Sequence, residues 1–368
     1  MSNFLVEPRY QHGQLNKIGV LLVNLGSPDS PTATALRPYL KQFLSDPRVV
    51  EIPKAIWWFI LNGIILNTRP KKSAEKYASI WTENGSPLAY YTSEQAKKVE
   101  AKIHAHIQQP ITIRHAMRYG QPSIESVLTS LQQEGCDRLL IFPLYPQYSA
   151  STTATVHDTV FRHLQKVRNQ PAVRTVKHYH DDPRYIGALV QQVEQHFHRH
   201  GQPDKLLMSF HGVPLYTLEK GDPYHCECHK TARLVAEGLN LRQEEYLVTF
   251  QSRFGKAKWI EPYTAPTVIQ LAKQQTERID ILCPGFVSDC LETLEEIAME
   301  VKGEFLQAGG KQFNYIPCLN LNDTWIDALT GLIIENLQGW LDPKWDRNTA
   351  MQAAKNSHAY ATAKGAKQ

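Results

Sequence analysis

At 368 residues, 42% hydrophobic and 21% charged, the chain is long enough for two ordinary domains and has the composition of a globular protein. A net charge of +4 is too weak to argue for nucleic acid; it is compatible with an anionic small substrate or a weak peripheral contact with a membrane. Residues 1–17 lack the apolar core of a secretory signal, and the longest apolar stretch, 55–66, is interrupted by Asn62 and Gly63 and falls short of the roughly 20 residues a spanning helix needs. A cytoplasmic protein with its six cysteines reduced is the expectation: Cys136, Cys283 and Cys318 sit in or beside apolar runs, where a free thiol behaves as a small hydrophobe.

Short apolar runs alternate with longer helical patterns, which argues for a parallel α/β architecture. Strands are predicted over 18–24, 111–117, 138–142, 173–177, 206–210, 246–251, 279–283 and 314–317. Helices are predicted over 34–44, 72–82, 92–108, 123–134, 153–165, 183–200, 230–238, 265–275, 292–307 and 322–337.

The two halves repeat. Strand ends in the first read Asn24-Leu25-Gly26-Ser27-Pro28, Arg118-Tyr119-Gly120 and Phe142-Pro143-Leu144-Tyr145. In the second they read Phe210-His211-Gly212-Val213-Pro214, Arg253-Phe254-Gly255 and Cys283-Pro284-Gly285-Phe286. The reading is α/β: two similar Rossmann-like, doubly wound domains with parallel sheets facing across a cleft. Residues 1–170 form the first domain, 171–340 the second, and 341–368 a polar tail or surface helix. Gly26 and Gly120 are 94 positions apart but Gly212 and Gly255 only 43, so the first half carries an insertion of about 50 residues. It holds Trp57-Trp58-Phe59 and a basic run ending at Lys72; either it forms a lip over the cleft for a flat, acidic ligand, or it is a buried helix and a solvated turn.

In open parallel sheets, ligands bind beyond the carboxyl ends of the strands. No phosphate-binding glycine loop is present, so nucleotide binding is not supported. His211 stands at such a strand end, and imidazole is the side chain best suited to exchange protons near neutral pH. After the strand at 279–283 come Asp289, Glu292, Glu296 and Glu300, which on an α-helix would form one stripe. A solvated helix face favoured by the dipole accounts for one or two of these acids. Lining a cleft, they would raise one another's pKa values and could relay protons. One nitrogen ligand facing a few carboxylates suits brief handling of a metal, not retention.

The run His225-Cys226-Glu227-Cys228-His229 is rich in ligand types but lacks zinc-site spacing, so it reads as a polar loop before a helix. Trp259, Tyr263, Tyr145 and Tyr148 offer flat surfaces near strand ends.

These residues resemble the ferrochelatase family, enzymes that insert ferrous iron into protoporphyrin IX. The resemblance covers roughly residues 17–337 and is closest to the bacterial protoporphyrin type. It rests on Leu22 through Pro28, Gly85-Ser86-Pro87, Met117 through Gly120, Pro143 through Ser149, Ser209 through Pro214, Thr249 through Gly255 and Cys283 through Phe286 with Asp289 to Glu296, all in family order. It implies that His211 and Glu292 are the catalytic pair and the iron site, with Asp289 and Glu296 on the proton or metal path. It also implies that Leu25, Arg118, Tyr119 and Trp259 bind the porphyrin.

Cys290 departs from members with a histidine at this place. The last cysteine is Cys318, so the carboxy-terminal cysteine trio that holds a [2Fe–2S] cluster in animal members is missing. The expectation is therefore no permanently bound cofactor, with Fe2+ as a substrate. Two rivals stay open: a chelatase for another metal or tetrapyrrole, and a non-catalytic porphyrin carrier.

Overall fold

A computed structural model describes residues 4–255 and 257–367. Eight strands form two four-stranded sheets in which every pairing is parallel. The first contains β1 (Lys17–Asn24), β2 (Ile111–Met117), β3 (Cys136–Pro143) and β4 (Ala172–Thr175), in the order β2-β1-β3-β4. The second contains β5 (Lys205–His211), β6 (Tyr246–Gln251), β7 (Arg278–Leu282) and β8 (Gln312–Ile316), in the order β6-β5-β7-β8. The internal repeat read from the strand ends is thus a repeat of topology.

β1 and β5 are inner strands buried on both faces, which is why each reads as a continuous apolar run. One core spans both halves: Leu22, Phe142, Phe210, Leu282 and Trp325 belong to the same buried cluster. The expected boundary at 170/171 needs correction. β4 begins at Ala172 and pairs with β3, so the first sheet extends past residue 170 and the crossover falls after Thr175.

The insertion is helical. Lys54–Ile60 runs through a π-helical turn, Leu61–Ile65, into Leu66–Ile80. Trp57 anchors it through a 2.6 Å hydrogen bond from Nε1 to the Leu44 carbonyl, while Trp58, Phe59 and Ile64 are exposed. The expected tail is a surface helix, Arg347–Ala363, with no buried residue.

Candidate active site

A small recess lies between the carboxyl end of β1 and the start of the helix that follows β7. Leu25, just past β1, lines it with Tyr39, Tyr77, Leu88, Leu291 and Glu292. The turn after β1 requires glycine: Gly26 has φ +111°, and a Cβ there would sit 1.7 Å from the Tyr119 carbonyl oxygen. That packing lets Arg118 and Tyr119 donate backbone N–H groups to the Asn24 and Leu25 carbonyls, each at 2.8 Å.

His211 ends β5, paired in register with Gln251 of β6. Its Nδ1 lies 2.6 Å from the Gly212 carbonyl. A carbonyl only accepts, so Nδ1 carries a proton, and in the neutral ring the lone pair is then on Nε2. The Trp259 ring lies beside it, with centroids 6.5 Å apart. Gly212 makes room: a Cβ would meet the Gln251 carbonyl at 2.8 Å and the Trp259 ring at 3.0 Å.

The facing acids lie on Glu292–Val301, which winds as a π-helix, not an α-helix. Gln251 donates to the Glu292 carbonyl at 2.7 Å and thereby fixes the start of this helix against β6. Glu296 accepts from the Ser252 amide at 2.6 Å and also from the Ser252 hydroxyl. Burial raises the Glu296 pKa above the ordinary value; the Ser252 hydroxyl and, when it is protonated, His211 pull it down, and Glu292 pushes it up. Glu295 and Glu300 point elsewhere: Lys76 of the lip bridges them, at 2.9 and 2.8 Å.

Three expected site residues engage partners within the protein. Asp289 is buried, 5% exposed. Its carboxylate accepts from Tyr315 at 2.5 Å, the Cys318 amide at 3.1 Å and Asn320 at 2.6 Å. So engaged, it anchors the loop before the helix. Tyr119 is fully buried, its hydroxyl 2.9 Å from Asp46. Arg118 also pairs with Asp46 and donates to the Thr155 hydroxyl at 2.6 Å. The Asp46 pKa is lowered against its burial by Thr155, the Arg48 amide, Arg118 and Tyr119. This buried pair braces the wall. Asp46 carried no signal in the sequence because its side-chain partners lie some 70 or more positions away.

His225 and Cys226 also differ from expectation. The 225–229 run is no loop but the opening turns of the helix Tyr224–Gly238, where Glu227 and Cys228 are buried.

Paired parallel sheets whose carboxyl ends surround a histidine and two acids define a chelatase-type fold. SirB from Bacillus subtilis, solved with Fe3+, superposes with a TM-score of 0.51 at 13% identity, covering 88% of this chain and 96% of that one; this likeness speaks for the fold alone. The family described as Ferrochelatase matches residues 17–337. Curated ferrochelatases include one from Chromobacterium violaceum, 58% identical over 93% of this chain and 94% of its own length. Another, from Nitrosomonas europaea, is 55% identical over the full length of both. The chain belongs to the ferrochelatase family.

Proposed function

We infer that this chain inserts Fe2+ into protoporphyrin IX to form protoheme, the last step of protoheme biosynthesis. The porphyrin loses two pyrrole protons and gains four nitrogen–metal bonds, so the site must take up protons and offer the metal weak, exchangeable ligands. The observation that carries this reading is the 2.6 Å contact of His211 Nδ1 with the Gly212 carbonyl, which in the neutral ring leaves the Nε2 lone pair free to take a proton or a metal. In this reading His211 accepts pyrrole protons and touches the metal, Glu292 shares the metal, and Glu296 carries protons away.

Leu25 presses on the macrocycle from the first domain, and Trp259, buried beside His211, supports the second domain's side of the site. A flat macrocycle shields its inner nitrogens, and strain supplied by these contacts would expose them. Arg118 and Tyr119 act through Asp46 to hold the wall. Asp289 holds the helix that presents the acids.

No resident cofactor belongs to this reading, and Fe2+ is a substrate. None of the described helices is long and apolar enough to cross a membrane. A cytoplasmic enzyme touching a membrane weakly through Trp58, Phe59 and Ile64 fits the exposure of the lip. The test is anaerobic mixing of protoporphyrin IX with Fe2+ or Co2+ and catalytic amounts of protein. Multiple turnovers with Fe2+, read as loss of porphyrin fluorescence, support the reading; binding without turnover supports a carrier.

A further inference from the structure

A second group of metal-ligating side chains lies apart from His211. His178 and His180 sit in the crossover after β4, and Glu227 sits in the first turn of the helix Tyr224–Gly238. One ligand atom from each lies within 4.8 Å of the others, the only such group among the described residues. His178 Nδ1 is 2.7 Å from Glu227 Oε1, and His180 Nδ1 is 3.4 Å from Glu227 Oε2.

An ordinary ion pair accounts for His178 and Glu227 but not for His180. That ring is 5% exposed, and its Nδ1 is buried with no hydrogen-bond partner. A buried nitrogen beside a carboxylate, unbonded, is costly unless something lies between them. Other charges do not fill the role. Asp181 is 3.8 Å from the same nitrogen but is engaged by Lys230 at 2.5 Å, and Glu227 Oε2 takes a further bond from the Tyr148 amide at 2.7 Å. The His178 side chain is 38% exposed, which gives an ion and its waters access from solvent.

We propose that His178, His180 and Glu227 bind one first-row divalent transition-metal ion, with water completing its shell. Two imidazoles and a carboxylate match the three-ligand sets of such ions, and one ion about 2.0–2.1 Å from each nitrogen would satisfy both rings. The ligands come from the crossover and from a helix of the second half, and Glu227 also holds the Tyr148 amide beyond β3. The ion therefore acts as a clip between the two sheets. Iron insertion plays no part in the inference, which stands or falls independently of the proposed function.

The test titrates chelator-treated full-length protein with Co2+, reading bound metal by equilibrium dialysis and visible absorption, and thermal unfolding in parallel. Wild type and His211→Ala are expected to bind Co2+ at this site and to unfold at higher temperature with it. His180→Ala and the conservative His180→Gln are expected to bind more weakly by at least the roughly 10–100-fold that loss of even a supporting partner costs. The exposed His178→Ala guards against a folding defect and should weaken binding too. Equal Co2+ affinity in wild type and the folded His178→Ala variant would overturn the proposal. So would loss of all binding on His211→Ala, or loss on changing His225, whose ring lies 4.4 Å from that of His229.

Discussion

The Ser252 amide donates to Glu296 at 2.6 Å, so the end of β6 grips the acid on the facing helix. Ser252 has φ +66°, an uncommon conformation for a residue with a side chain. That backbone geometry aims the amide and hydroxyl at one carboxylate, next to the strand that ends in His211. Ser252→Ala removes the hydroxyl bond but keeps the amide bond. Its loss should raise the Glu296 pKa further and reduce kcat a few-fold, measured as a pH–rate profile shifted toward higher pH on its acid side.

The raised pKa of Glu296 has a definite sign. Burial penalises the carboxylate, so protonation occurs at a higher pH than for an ordinary glutamate. As pH falls, the charged acceptor is lost earlier, and turnover should decline from that point. Glu296→Gln mimics the protonated acid. It should lower kcat at neutral pH and flatten the acid limb; a variant with the parent's limb would remove Glu296 from the proton path.

Gly26→Ala would bring a Cβ to 1.7 Å from the Tyr119 carbonyl oxygen at φ +111°. The turn must move, at a cost of about 1–3 kcal/mol or more. Denaturant unfolding should show that loss, and displacement of Leu25 should weaken porphyrin binding.

Lys76 ties the lip to Glu295 and Glu300. Its side chain is 43% exposed, so Lys76→Met should change stability by no more than ~1 kcal/mol. The effect expected is on the lip: faster proteolysis within 54–80 and a raised KM for porphyrin, with kcat little altered.

Much of this was legible in the chain. Inner strands buried on both faces, such as β1 and β5, leave unbroken apolar runs, and the repeated strand ends around Gly26 and Gly212 carry the topology. The acidic row was only half legible. An α-helical period groups Asp289, Glu292, Glu296 and Glu300, but the segment winds with a longer π-helical turn. Residues five apart can then share a direction, and Glu295 and Glu300 both reach Lys76 while Glu296 turns to Ser252. The 225–229 run hid a helix because ligand-type and polar residues fill the space between Tyr224 and Cys228 on the apolar face that continues through Ala232 and Val235. That Arg118 and Tyr119 both pair with Asp46 was not legible, because the chain separates them by more than 70 positions.

His211 carries the central claim, and one paired measurement on His211→Ala tests it most directly. Porphyrin affinity is measured by fluorescence titration, and anaerobic Fe2+ insertion is measured at catalytic protein amounts. The account predicts near-normal porphyrin binding with insertion abolished. Normal turnover in a variant lacking the imidazole would contradict it.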